Sequence, residues 1–596
     1  MPFSSFAESN ALAIGIFNKK KKEPEVKEDD KNKSESINYE KIVGAETFTQ
    51  QGLFLVHKNK NDFYFEIPLY LLGRDMLVIN KMQKVPRALT DAGVNRGINY
   101  ENKLIRFELD EENKKLKIRA VEPMPAYPEE DAIGKSVREN FISSLIESLA
   151  IETYNKDSSA VVVKVNDIYN GTETSINNVF NQINLGTSAI KNLSKIIAAN
   201  AYDNNVAVVS ELTTKVTEGN NSIYVSVEVI SSLLLLPEKP MTGRYENNRI
   251  GYFTTPQIFF SDKQQQIEDR RWITRWRLEP KTEDRTAYLN GALVEPAKPI
   301  RFYIDTSTPP QWRKYIKEGV ESWQVAFERA GFKKAILVEE IPDSVRAGAD
   351  DVNYSVITYV ASPKINAMGP SVYDPRSGEI IEADIIWWHN VASMLQKWIV
   401  IQTGAANPAA RSLPLPEELM GEAIRFVACH ETGHSLGLRH NMMGSWAFPT
   451  DSLRSQTFTD RMNSTSASIM DYARYNYVAQ PGDQVSHFAP NIGPYDLLAI
   501  EYGYRWTGND RPEADADLLL DLLGKHTGRL YKYSEAQDAR GTIDPRAQNE
   551  DLGDDPVKSS QLGIDNLKRI MPHLIEWTKT GKKGQNYEEA GRLYNA

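Results

Sequence analysis

The spacing of apolar positions divides the chain into stretches of two different periods. From about residue 38 to 292 the period is the two-residue alternation of half-buried strands. Runs at 53–56 and 63–67 flank a polar turn at 58–62, and Ile105, Phe107 and Leu109 alternate ahead of a turn at 111–113 and a second run at 116–121. Both pairs read as hairpins. Further strands are predicted at 160–165, 206–212, 223–236 and 258–260, with a helix around 136–150.

The pattern changes near Pro299. A strand is predicted at 300–304. Thr308 and Pro309 then read as a helix cap and first-turn proline, and Trp312, Ile316, Val320, Trp323 and Phe327 form one apolar stripe that ends at Gly331. Strands follow at 335–340, 354–360, 368–373 and 379–388, the last two joined by the turn signal at 374–378. A second helix is predicted to begin at Pro416, with Leu419, Ala423, Val427, His430 and His434 on one face, and a third covers 494–502, followed by Gly503. Residues 507–596 are mostly helical, most clearly at 518–523 and 567–577. The chain ends on a helix at 587–596 with no capping signal behind it, the pattern of a fragment of a longer protein.

Residues 1–37 carry a short apolar patch at 11–17, then Lys19 to Lys22 and a mixed charged run, which reads as a solvated, disordered tail. Positive charge follows the apolar patch instead of preceding it, the reverse of a signal peptide. The expected organisation is therefore α+β: a tail at 1–37, a β-rich region of one or two subdomains at 38–292, a mixed catalytic domain at 293–506 and a helical extension at 507–596.

Composition narrows the partners. A net charge of -10 argues against nucleic acid or an anionic membrane, and the apolar cluster at 233–236 is far short of the roughly 18 residues of a membrane span. Arg270, Trp272, Arg275 and Trp276 accordingly read as a strand face and not as a nucleic-acid platform. Cys429 is the single cysteine, so an intrachain disulfide is impossible; beside His430 it reads as a small buried helix residue, with a reactive thiol or a ligand as the alternatives.

The chemistry lies at 430–440, which spells HExxHxxGxxH. Residues four apart sit one helical turn above each other, so His430 and His434 present their imidazoles on one face. Gly437 can take the positive φ that ends a helix and lets His440 return as a third ligand. Three protein nitrogens leave an open position on a tetrahedral ion, the pattern of one catalytic Zn2+, with Glu431 beside it as general base. His57, His389, His487, His526 and His573 share no ligand spacing and read as surface or singly bonded core residues.

With Ser468, Ile469, Met470, Asp471 and Tyr472 some thirty residues downstream, residues 299–503 resemble the metzincin clan of zinc endopeptidases. The resemblance implies a Met-turn with Met470 beneath the metal as an apolar floor, and a twisted sheet whose antiparallel edge strand overhangs the cleft. Ala367, Met368, Gly369, Ser371 and Val372 are the candidates for that strand, pairing with an extended peptide. Ser-Ile-Met-x-Tyr looks like the astacin and serralysin version of the turn, in which the tyrosine approaches the zinc. Tyr472 is thus a candidate oxyanion donor, with packing beside the turn as its alternative role. The whole chain is similar to large bacterial zinc metalloproteases with uncharacterised N-terminal domains, a likeness that reaches through 544–577 and implies an extracytoplasmic setting and a peptide or protein substrate. It departs from the matrixins, because Cys429 is not available as a latency cysteine. Two other readings stand beside the endopeptidase: a scaffold with a vestigial zinc site, and a zinc hydrolase acting on chain ends.

Overall fold

The computed structural model describes residues 39–596 except 124, 184, 186–187, 220, 344–349, 536–543, 580 and 582; the expected tail at 1–37 lies outside these residues. The alternating N-terminal runs form one sheet of 11 strands, in the spatial order Phe48–Gln50, Leu55–Asn59, Asp62–Pro68, Ala160–Lys164, Ser144–Tyr154, Lys115–Ala120, Asn99–Asp110, Met76–Lys84, Asn221–Leu235, Asn205–Glu218 and Lys195–Ala201. Each neighbouring pair is antiparallel. The sheet curls until its ends meet, with the Ala201 N–H donating to the Gln50 side chain (3.0 Å) and the Leu53 N–H to the Tyr202 carbonyl (2.6 Å). Closure of this kind covers edges that would otherwise pair with other chains. Alternate residues such as Phe65, Ile67, Val161, Val163, Val206 and Val208 fill the interior.

The helix expected at 136–150 is shorter than predicted. It spans Ile133–Asn140, and the chain then continues as the strand Ser144–Tyr154. Leu145, Ile146 and Leu149 suit either period. Pairing on both sides, with Lys115–Ala120 and Ala160–Lys164, decides for the strand through partners that no local window contains.

Downstream, Ile336–Glu340, Ile300–Ile304, Ser355–Val360 and Ile385–Trp388 lie parallel, and Ala367–Met368 joins Ile385–Trp388 antiparallel at the edge. This is the α+β arrangement with an antiparallel edge strand. The backing helix is two pieces, Pro310–Glu321 and Gln324–Arg329, and Thr308 makes no capping bond. Gly319 lets it approach the helix Glu417–Ser435, the candidate zinc helix that carries His430 and His434, since a Cβ there would stand 2.5 Å from the Arg425 carbonyl oxygen, and Trp323 Nε1 donates to the Cys429 carbonyl (2.8 Å).

The strand expected at 368–373 also divides. Val372–Tyr373 leaves the edge strand and pairs with Glu379–Glu382 in a separate sheet that includes Arg275–Trp276. Pro370 lacks an N–H for a continuous ladder, which explains the interruption. The run expected at 379–388 splits in the same way, into Glu379–Glu382 and Ile385–Trp388.

The hydrophobic core of this region does not stop at the expected limits of 293 and 506. Ile250, Tyr252 and Ile273 from upstream, and Leu519, Leu523, Leu574 and Leu593 from downstream, pack in the same core as the zinc helix. Gly503, expected after the third helix, lies inside it: that helix is Pro494–Tyr504, and a Cβ on Gly503 would meet the Tyr252 hydroxyl at 2.1 Å. The C-terminal helices are Pro512–Gly524, Pro556–Ile570, Leu574–Trp577 and Glu588–Tyr594. Among the described residues no helix is long and apolar enough to cross a membrane.

Candidate metal centre

The zinc helix spans Glu417–Ser435 and is buried along most of its length. Its first turn carries Glu417 and Glu418, which complement the positive end of the helix dipole. At its far end the orphan carbonyls find side-chain donors: Trp276 Nε1 donates to Ser435 (2.9 Å) and the Tyr504 hydroxyl to Leu436 (2.8 Å). Gly437 then takes φ +94°, and a Cβ there would stand 2.1 Å from the Thr274 carbonyl oxygen, so backbone conformation and space both require glycine. The N–H groups of Gly437 and Leu438 fold back to the carbonyls of His434 and Gly433 (2.9 and 3.0 Å), and the chain turns to present His440.

The three imidazoles meet through their Nε2 atoms. His440 Nε2 lies 3.3 Å from His430 Nε2 and 3.1 Å from His434 Nε2. His430 Nδ1 donates to the Ile469 carbonyl and His434 Nδ1 to the Leu438 carbonyl, both at 2.8 Å. Those bonds put the proton of each ring on Nδ1 and leave the Nε2 lone pairs facing one another. Burial pushes His434 down to about 4, His440 down to about 3 and His430 well below its ordinary value, so the rings are neutral near pH 7. Converging neutral lone pairs repel unless a cation lies between them, and zinc with Zn–N bonds of about 2.0–2.1 Å would separate tetrahedral ligands by roughly 3.3 Å. The residues fit the metal. Among the described residues this is the one cluster of three His, Cys, Asp or Glu with convergent ligand atoms, all within 4.8 Å.

Glu431 lines the cleft of about 510 Å³ that opens over the histidines. Burial pushes its carboxyl up to about 8, opposed by the Gly369 N–H and the Arg474 guanidinium. Met470 is fully buried beneath the helix, and a Cβ on Gly433 would meet its sulfur at 2.2 Å. The turn that carries Met470 hangs on Asp496, whose carboxylate accepts from Ser468 Oγ (2.6 Å) and from the N–H groups of Ile469 and Gly493 (both 2.8 Å). Tyr472 lies with its ring centre 4.4 Å from that of His440 and 5.7 Å from that of His430. Burial pushes its phenol up, so it remains a donor near pH 7, and the Arg474 guanidinium covers its ring at 4.1 Å.

Of the candidate strand residues, Ala367, Met368, Gly369 and Ser371 line the cleft. Val372 does not. It packs with Leu77, Ile79 and Leu234 of the N-terminal region and pairs with Glu382, because the chain changes sheets after Pro370. Gly369 comes so close to the zinc helix that a Cβ would stand 2.1 Å from the Glu431 carbonyl oxygen. Cys429 is buried within the helix, and burial raises its thiol far above the ordinary range, against a reactive role.

Sequence reasoning missed several cleft residues. Phe253, Thr254, Arg439 and Glu535 line it as well, and Arg439 Nε pairs with Glu535 (2.7 Å). Arg439 stands inside the zinc motif and could have been singled out. Asp496 had a weak signal, a carboxylate in the first turn behind Gly493 and Pro494. Phe253, Thr254 and Glu535 arrive by long-range packing and carry no local mark.

In comparison with known proteins, residues 412–596 match the family described as Met-zincin. Residues 97–281 and 37–85 match two families described as domains of unknown function. No curated protein and no solved structure matches the chain.

Proposed function

We propose that this chain, whose residues 412–596 match the family described as Met-zincin, is a zinc-dependent endopeptidase acting through Glu431 as general base. The observation that carries this reading is the convergence of three Nε2 lone pairs at the floor of an open cleft, with a buried carboxyl beside them. Zinc held by His430, His434 and His440 would supply a Lewis acid that lowers the pKa of water towards about 7 and polarises a peptide carbonyl. Glu431 accepts the proton of the attacking water and carries it towards the departing amine. Tyr472 donates its phenol hydrogen to the carbonyl oxygen as negative charge develops there. Ala367, Met368, Gly369 and Ser371 offer an extended peptide a strand edge to pair with, which binds backbone without demanding one sequence.

Cleavage within a chain, as opposed to at its ends, is supported by the two arginines nearby, Arg439 in the cleft and Arg474 over the Tyr472 ring. Arg439 is paired with Glu535 and Arg474 with Glu550 (3.0 Å), so neither stands ready for a terminal carboxylate. Family likeness alone suggests an extracytoplasmic setting. Incubation with a mixed peptide library, with and without a chelator, tests the reading. Chelator-sensitive internal cuts are expected; trimming from one end would favour the chain-end hydrolase, and no cleavage by zinc-loaded protein would overturn both.

A further inference from the structure

The cleft has a wall that the zinc motif does not supply. Phe253 and Thr254 belong to the stretch matched to a domain of unknown function at 97–281, yet they line the same cleft as His434 and the edge strand. Their placement is fixed by backbone pairing with the third-ligand segment. The Phe253 N–H donates to the Gly437 carbonyl (2.8 Å), the Arg439 N–H to the Gly251 carbonyl (2.9 Å), and the Thr274 N–H to the Phe253 carbonyl (2.7 Å). Tyr252 anchors the segment from below, buried, with its hydroxyl on the Ala499 carbonyl (2.9 Å).

On this rigid support the Phe253 side chain is 42% exposed, with its ring centre 6.0 Å from that of His434. A lone exposed apolar residue on a convex surface means little. One carried by a segment that four hydrogen bonds fix, inside a concave site, is different, because apolar walls with few polar groups are how such sites take up ligand side chains. Arg439 and Glu535, which line the same cleft, pair with each other. Tyr472 lies beside His440 and His430 whereas Phe253 lies beside His434, so Phe253 faces the part of a substrate lying on the His434 side.

We infer that Phe253 is a specificity-determining residue: it receives an apolar or aromatic side chain of an extended peptide on the His434 side of the scissile bond, and the region of unknown function thereby forms one wall of the substrate site. Ring-on-ring contact at 4.5–7 Å between centres suits such a pairing. The inference rests on the peptidase reading for its substrate class, but the binding arm of its test does not depend on turnover.

The full-length parent, Phe253→Ala, Phe253→Leu and Phe253→Arg are profiled against a mixed peptide library, with zinc per chain measured alongside. The parent should prefer apolar residues at one position. Phe253→Ala should lose about tenfold in kcat/KM for those residues at that position alone, the scale of one apolar contact in a pocket. Phe253→Leu should keep the preference, and Phe253→Arg should turn it towards Asp and Glu. The same peptides are then titrated against Glu431→Gln with and without Phe253→Ala, reading binding by fluorescence polarisation. If the parent cleaves nothing, the peptidase reading fails while the binding profile still decides the role of Phe253. Cleavage and binding profiles that are the same at every position in zinc-loaded Phe253→Ala and Phe253→Arg would overturn the inference.

Discussion

His430 and Ile469 are joined by a hydrogen bond of 2.8 Å from the imidazole Nδ1 to the backbone carbonyl, which ties the first histidine of the converging three to the turn carrying Met470. The N–H of the same Ile469 is held by Asp496, so a carboxylate on the closing helix orients a ligand through one peptide unit. Partners of this kind around a metal site commonly govern affinity.

Asp496→Ala leaves the Ser468 hydroxyl and the N–H groups of Ile469 and Gly493 without their acceptor. Zinc affinity should fall roughly 10- to 100-fold while the protein stays folded. Competition with a chelator of known affinity measures this. Unchanged affinity would show that the turn holds His430 without Asp496.

Zinc binding at pH 6, below the range in which zinc-bound water ionises, should release about one proton. Metal-free Glu431, pushed up to about 8, is mostly protonated at that pH, whereas His434 at about 4 and His440 at about 3 are already neutral. A dication beside Glu431 favours its charged form, so its proton leaves as the metal arrives. In Glu431→Gln that proton should be missing at pH 6, and above pH 9, where Glu431 is already charged, parent and variant should both release only the proton of zinc-bound water. Calorimetry in buffers of different protonation enthalpy counts the protons; release of two or three would mean that the imidazoles are charged in the free site.

The convergence of the three histidines was legible in the sequence because its geometry is local. A four-residue spacing on one helix and a glycine at 437 are enough to bring three nitrogens together, and φ +94° at Gly437 is the conformation that spacing requires. The edge strand was legible only in part: Ala367–Met368 pairs as expected, but nothing local announces that Val372 leaves for another sheet. Phe253 and Glu535 were not legible at all, since each reaches the cleft from about a hundred or more residues away in sequence through packing. The strand Ser144–Tyr154 fails for the same reason, its period being settled by neighbours on both sides.

Tyr472→Phe removes one hydroxyl and keeps the ring that lies between His440 and Arg474. An oxyanion role predicts a fall in kcat of about 10²- to 10³-fold with little change in KM or zinc content. Steady-state kinetics on one peptide are sufficient. Parental kcat would leave Tyr472 a packing role only.

Gly369→Ala should separate the edge strand from the zinc helix, because the added Cβ would lie 2.1 Å from the backbone oxygen of Glu431, an atom that cannot swing aside. The overpacking should cost about 1–3 kcal/mol of stability, and kcat/KM should drop while zinc is retained. A thermal melt and a kinetic assay report the two effects. A variant with parental melting temperature and turnover would mean that the strand has room to retreat without consequence.

The most direct measurement compares peptide cleavage by zinc-loaded parent and zinc-loaded Glu431→Gln, with metal content determined on the same samples. Gln keeps the size of the side chain and the packing of the helix, and it removes the proton acceptor. The expected result is close to one zinc per chain in both proteins, chelator-sensitive cleavage by the parent, and a rate for Glu431→Gln lower by about 10²- to 10⁴-fold or more. Cleavage by Glu431→Gln at the parental rate with zinc bound would contradict the assignment of Glu431 as the general base.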